Sequence, residues 1–440
     1  MVGRRPKAKE AQPSRKRPNE ENDDTVEPPK SKKQKVSHES HATVGGIVLT
    51  LGEGDVGQLG LGEDILERSR PSKVDISEDI IQVFAGGMHT VCLTSKGEVI
   101  TFGCNDDGAL GRDTSEEGSE TLPAKVELPS KVVQVSAGDS HTAALTEEGK
   151  VYIWGIFRDA NGLMGMITYK NVQKTPVQFV IGSPKTVVVK IVSGGDHLAC
   201  LTSNGEIYTA GNAEQGQLGR VAECFAVRGG RKGAEYLLTP GIVRCRRSRG
   251  RKSSKFSDIW AGTFDTFARE AESGDIYAWG LNNYYQLGID DMENRFMPER
   301  LTSFEGKQWK SFASGQHHTV ALDTAGKVYS LGRKEYGRLG LGKDCEETKE
   351  PTLITSLNGT GCQSISAGSS VSFAVSNDGV GFSWGMGTNQ QLGTGNDDDV
   401  YEPIKIAGKQ LLNREVIMIS AGGQHTVLLA KDKPAEKEGS

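Results

Sequence analysis

Two short phrases recur seven times along this 440-residue chain, in step with one another. The first is Ala/Ser-Gly-x-x-His-Thr-x-x-Leu. Its histidine column reads His89, His141, His197, Asp265, His318, Val371 and His425, at intervals of 52, 56, 68, 53, 53 and 54 residues. The second is Gly-x(7)-Gly, usually ending in Gln-Leu-Gly, with first glycines at Gly52, Gly103, Gly155, Gly211, Gly280, Gly332 and Gly385. A fixed period of this length means one supersecondary unit stacked many times, each copy burying its apolar face against its neighbours.

One unit shows what the period builds. Residues 131–136 (KVVQVS) are apolar and β-branched, and Ala137 and Gly138 turn the chain. Residues 141–146 (HTAALT) form a second strand, 147–150 (EEGK) a tight turn, and 151–155 (VYIWG) a third strand. A Gly-bounded loop follows, and a Pro-x-x-Val run at 176–179 opens the fourth strand. Four short strands in ~50 residues make a propeller blade. The 56 glycines, about 13 per cent against a usual ~7 per cent, fit a chain of tight turns. The last copy stops at 425–430 without a third strand, and the first begins with an unpartnered third strand at 46–52. The expected fold is therefore all-β, a seven-bladed propeller closed by pairing the N- and C-terminal segments in one blade. Closure removes the exposed strand edges an open stack leaves. The ring is expected to span 45–432 as one domain, with a basic disordered tail at 1–44 and a short tail at 433–440.

Net charge is −5 and unevenly spread. Residues 1–38 carry eleven Lys/Arg, six Asp/Glu and five prolines, with few large apolar side chains. Such a segment cannot offset its ordering entropy by burial. Its clusters at Arg15, Lys16 and Arg17 and at Lys32, Lys33 and Lys35 read as a two-part nuclear import signal with affinity for nucleic acid. The 68-residue third interval holds 220–256, with eleven Lys/Arg against two acids. Taking the loop's +9 and the tail's +5 from −5 leaves −19 for the rest, an acidic body with two basic attachments. That pattern suits a polyanion on one side and a basic partner on the other. Six of the seven Gly…Gly loops span eight positions; the third, from Gly155 to Gly165, spans ten and reads as a small projecting hairpin.

No apolar run reaches the ~18 residues of a membrane span. The first residues lack the apolar core of a secretory signal, so the expected compartment is intracellular. Seven scattered cysteines without a Cys-x-x-Cys pair read as reduced thiols, so no metal site and no cofactor is expected. No nucleophile–base constellation stands out. A histidine repeated once per blade reads as a hydrogen-bonding strut between blades. Pattern alone stops at a closed propeller that binds a polyanion and a protein.

Five segments carry a closer resemblance. They are LTLGEGDVGQLGLGE (49–63), FGCNDDGALGRDTSEEGSE (102–120), VVQVSAGDSHTAALT (132–146), GRKEYGRLGLG (332–342) and WGMGTNQQLGTG (384–395). Together with the FRDANG insertion and the Arg-rich loop, they resemble the regulator-of-chromosome-condensation family, chromatin-bound exchange factors for the GTPase Ran. The resemblance covers about 45–432. It implies acceleration of nucleotide release without covalent chemistry, so not an enzyme of the bond-making kind, in the nucleus and on chromosomes. It implies that Asp55, His89, Asp139, Asp196, Arg220, His318 and His425 face Ran, and that Phe157, Arg158, Asp159, Asn161 and Gly162 form a wedge beside the nucleotide's phosphates. It implies docking of the opposite face on the nucleosome. There Arg228 and Arg231 would enter the acidic patch of the core histone pair, while Arg244, Arg246, Arg247, Arg249, Arg251 and Lys252 would lie on nucleosomal DNA. A nuclear import receptor is the further expected partner. The competing reading is a chromatin-binding scaffold that lacks exchange activity.

Overall fold

A computed structural model describes residues 36–245 and 254–434. It contains seven four-stranded antiparallel sheets and a separate two-stranded hairpin. In the blade analysed above, the strands are Val132–Ala137, His141–Thr146, Val151–Gly155 and Gln173–Phe179; the first three fall within a residue of the sequence expectation, and the fourth begins three residues before the expected 176–179 run. In the last blade, Ile47–Glu53 pairs antiparallel with His425–Asp432, from Ile47 opposite Ala430 to Gly52 opposite His425. Glu67–Lys73 adds outside it and Arg414–Ala421 inside. The two chain ends thus share a single sheet.

Successive blades pack through their apolar faces. Trp154, Trp279 and Trp384 end their blades' third strands, are wholly buried, and each donates its indole N–H to a carbonyl of the preceding blade's loop (Ala109, Gln217 and Arg338). A buried indole without such a partner would cost the hydrogen bond it leaves behind in water. First strands line a central channel, bordered by Gln82, Gln134, Lys190 and Asp258 near one mouth and by Asp139 and Gly195 near the other.

Strand alternation defines two rims. One carries the turns between first and second strands and the long loops after third strands. It includes Asp139, Asp196 and the hairpin, and we call it the hairpin rim. The other carries the second-to-third-strand turns and the links between blades. Val36 donates to the Glu147 carbonyl at 3.0 Å, a His41 ring nitrogen meets the Val189 carbonyl at 2.9 Å, and Arg269 donates to Glu39 at 3.0 Å. Residues 36–41, within the 1–44 span expected as tail, therefore lie on the second rim; the rest of that span before residue 36 lies outside the described residues. The polar side chains of His38, Glu39 and His41 find ring partners there. The import-signal residues Arg15, Lys16, Arg17, Lys32, Lys33 and Lys35 lie outside the described residues.

Candidate functional site: the hairpin rim

The histidine column is buried. His89 is 1% exposed, and His141, His197, His318 and His425 are 0% exposed. Four of them reach the hydroxyl that follows the same column in the next blade: His89 to Thr142 and His197 to Thr266 at 2.9 Å, His318 to Ser372 at 2.7 Å, and His425 to Thr90 at 2.9 Å. Each hydroxyl donates onward to a loop carbonyl, as Thr142 does to Ala109 at 2.8 Å, so the imidazole Nε2 must be the donor. Burial holds His89 down to about 4 and His425 down to about 3, leaving both neutral. The expectation that His89, His318 and His425 face a partner is corrected here. Their side chains are enclosed inter-blade struts, and the residues beside them form the rim.

What the rim does expose is carboxylate. Asp139 opens to the channel mouth, and its N–H donates to the Gly195 carbonyl of the next blade's turn at 2.8 Å. Protein crowded around the mouth takes away part of its solvation, which raises its carboxyl above the usual range. Asp196 is half-buried. Lost solvation first, and the Asp139 charge second, push it up to about 8, against the Arg158 N–H that meets its Oδ1 at 2.7 Å. Asp196 is therefore the carboxyl that a nearby cation would most readily convert to carboxylate. Asp55 is exposed on the same rim and accepts from Gln58 at 3.0 Å.

The insertion does form a hairpin, Phe157–Asp159 against Gly162–Gly165. Phe157 is not at its tip. It is wholly buried, packs edge-on against His141 at 4.7 Å between ring centroids, and joins Met164, Met166 and Leu218 in one apolar cluster. The wedge expectation is corrected for this residue: the ring is the anchor, because burying a phenylalanine stabilises by about 1.5–3 kcal/mol. Ala160 and Asn161 are the exposed tip, and Gly162 takes φ +97° to close the turn. The Arg158 guanidinium grips Asp107 with Nε and Nη2 at 2.9 and 2.8 Å. Glu214 accepts from the Ala160 N–H at 3.0 Å. Arg228 grips Asp159 with Nε and Nη2 at 2.7 and 2.8 Å, and its remaining amine meets the Tyr169 hydroxyl.

That last contact overturns a placement. Arg228 and Arg231 follow the third strand Ile207–Gly211, so they share the hairpin's rim instead of the opposite one. Arg228 is committed to Asp159, while Arg231 is exposed. Arg220 is corrected too. Its guanidinium meets the carbonyls of Thr209, Tyr236, Leu237 and Thr239 at 2.9–3.3 Å, which staples the long insertion to its blade. Arg112 does the same for an earlier loop, on Thr101, Ser119 and Leu122. Arg244 lies at the second rim. Its neighbour Val243 donates to Ile207, where that third strand begins, and Phe256 donates to Gly205. Arg246, Arg247, Arg249, Arg251 and Lys252 lie outside the described residues. Sequence reasoning missed Asp107, Tyr169 and Glu214, whose roles arise only where loops of three blades meet. No cluster of His, Cys, Asp or Glu among the described residues is arranged to hold a metal ion.

Residues 47–428 match the RCC1-like domain family. The human regulator of chromosome condensation is 57% identical over 407 residues, covering 92% of this chain and 95% of the relative. The guanine nucleotide exchange factor SRM1 of Saccharomyces cerevisiae is 32% identical and covers 88% of each chain. Among solved structures, yeast RCC1 (Prp20) bound to Kap60 superposes with a TM-score of 0.80 at 30% identity, over 96% of this chain and 97% of that one. Prp20p of S. cerevisiae, described with its binding to Gsp1p and histones, gives 0.77 at 30% identity over 93% and 96%.

Proposed function

Since the chain belongs to the RCC1-like family, within the regulators of chromosome condensation, we propose that it is a guanine-nucleotide exchange factor for the small GTPase Ran and acts through the hairpin rim. The observation that carries this reading is the braced hairpin, its exposed tip at Ala160 and Asn161 standing beside the Asp139–Asp196 pair. An exchange factor works by linkage: a partner that prefers the nucleotide-free GTPase weakens nucleotide binding by the same factor. The tip displaces the loop that cradles the phosphates. Asp139 and Asp196 draw away the cationic groups that hold them, and Asp196 ionises as the cation approaches. No covalent bond is made or broken. Released GDP is replaced by whichever nucleotide is more abundant.

The test is release of labelled GDP from Ran, with unrelated small GTPases as controls. Acceleration specific to Ran is expected, and Asp139→Asn, which keeps the shape, should lower it by at least about tenfold, the equivalent of ~1.4 kcal/mol in transition-state stabilisation. Release no faster than the intrinsic rate overturns the reading in favour of a scaffold. The acid pair adds a sign. With Asp196 at about 8, exchange should rise between pH 6.5 and 8.5 as the carboxylate becomes available.

In the same reading the protein works in the nucleus on chromatin. The second rim, where Arg244 lies, faces nucleosomal DNA, and the N-terminal clusters engage an import receptor. The yeast relatives support this direction, one bound to Kap60 and one described with histones. Arg231 remains available to an acidic protein surface, from the hairpin rim.

A further inference from the structure

We infer that Arg228 is a positioning residue for exchange: it latches the hairpin in its working pose from a neighbouring blade's insertion. The inference rests on the exchange reading above and deepens it.

A hairpin of three residues against four has little to hold it by itself, because isolated two-stranded ribbons are marginal in water. Its base is anchored by Phe157, but its tip has no apolar cover. Arg228 supplies the missing support. Its fork meets both carboxylate oxygens of Asp159, before the tip, and its third nitrogen meets Tyr169, after the hairpin. The guanidinium also lies over the Tyr169 ring, 5.5 Å from its centroid. Asp159 in turn accepts the Asn161 N–H at 2.9 Å, so the tip turn is fixed through the carboxylate that Arg228 holds. The Asp159 side chain is 2% exposed and that of Arg228 is 25% exposed, so the contact is made to a buried carboxylate from a partly exposed guanidinium. Two-point Arg–carboxylate contact sets direction as well as distance, which a lysine cannot do.

The backbone points the same way. Arg228 sits at φ +48°, followed by Gly229 at +75° and Gly230 at +51°. Three successive residues in the left-handed region make a sharp turn. The first of them is an arginine, which bears strain there that glycine would not. At Gly229 a Cβ would stand 2.0 Å from the Gly233 carbonyl oxygen, so the turn is too tight for a side chain one position later. The insertion therefore accepts a strained residue at the one place from which the side chain reaches Asp159.

Arg228→Gly is the decisive variant, since it relieves the backbone and removes only the latch. Hydrogen exchange of the free protein, the melting temperature, and KM and kcat for exchange on Ran·GDP are to be measured together. The melting temperature should hold or rise. The amides of Ala160–Gly162 should exchange about tenfold faster. KM for Ran·GDP should rise about tenfold while kcat stays within about twofold, because the hairpin must then be ordered on binding. Arg228→Lys should fall between. Unchanged hairpin amides and unchanged KM overturn the latch. If Arg228→Gly loosens the insertion as a whole, Asp159→Asn breaks the ion pair without altering that backbone, and an unchanged KM there is equally fatal. Should wild-type protein fail to accelerate release at all, the exchange reading falls, and the amides of the free protein still judge the latch.

Discussion

Five of the seven blade junctions share a device that the hairpin's junction lacks. Four use the histidine–hydroxyl strut. A fifth rebuilds it from shorter parts: Asp265 bonds Ser314, which stands 2.8 Å from Thr319. The two exceptions are Val371, which has no ring nitrogen to offer, and His141. The hydroxyl His141 would reach is replaced by Leu198, and both its ring nitrogens lack partners. There Phe157 lies against the imidazole and the hairpin rises from the contact. Regular junctions use a polar strut to hold the ring. The irregular one gives up the strut and holds a projecting element by an aromatic contact.

If that division is right, the largest effect belongs to the irregular junction. Phe157→Ala opens a cavity in a core that includes Met164, Met166 and Leu218, and should cost about 3–5 kcal/mol of stability. Exchange should fall as well, because the hairpin loses its base. Denaturant unfolding and GDP release, measured on the same preparation, check both. Exchange that survives the substitution breaks the link between anchor and tip.

The strut comes next. His318→Ala removes a buried ring and leaves Ser372 short of a donor, for a loss of about 2–3 kcal/mol. Any fall in exchange should come with a matching fall in stability, since a side chain with no exposure acts through the turn above it. A loss of exchange with the unfolding midpoint unchanged means that the histidine meets the partner directly, and the comparison fails at that blade.

Much of this was legible in the sequence because a repeat makes its own alignment. The His141–Thr146 and Val151–Gly155 strands, the closing pair at Ile47–Glu53 and the ten-position third loop were all readable from spacing. The absence of a hydroxyl at Leu198 was readable as well, from the column beside the histidines, and it marks the junction that carries the hairpin. The pairing of Arg228 with Asp159 was not. The two lie 69 residues apart, in the two loops that break the period, so neither loop's length nor its charge says what it faces. Basic composition suggested a polyanion for every arginine of the 220–256 segment. Among the described residues, the structure separates these into a staple at Arg220, a latch at Arg228 and an exposed Arg231 on one rim, with Arg244 on the other. The buried histidines were misassigned for a related reason: a residue beside an exposed turn shares its sequence motif whether its side chain points out or in.

The smallest effect is also the cleanest in sign, at the junction where Asp265 stands in for histidine. Burial pushes its carboxyl up to about 8, against bonds from Ser314 and the Gly262 N–H that favour the charge. The folded state therefore keeps a proton that the unfolded chain gives up above its usual ~4. This contribution to stability shrinks as pH rises from about 4 to 8. The strut histidines run the other way. His425, held down to about 3, weakens the fold as pH drops below ~6.5, where the unfolded imidazole takes a proton. Asp265→Asn keeps the shape and removes the titration. Relative to wild type it should gain up to about 1.4 kcal/mol per pH unit between pH 6 and 8, and the gain should level off above pH 8. Below about pH 4 the two profiles should run parallel, because Asp265 is protonated in both states there and no longer contributes to the slope. A difference between the two proteins that does not vary with pH would mean that Asp265 is already ionised in the folded ring. Its relay through Ser314 to Thr319 would then be an ionic contact, and the fifth junction would join the two that lack a neutral strut.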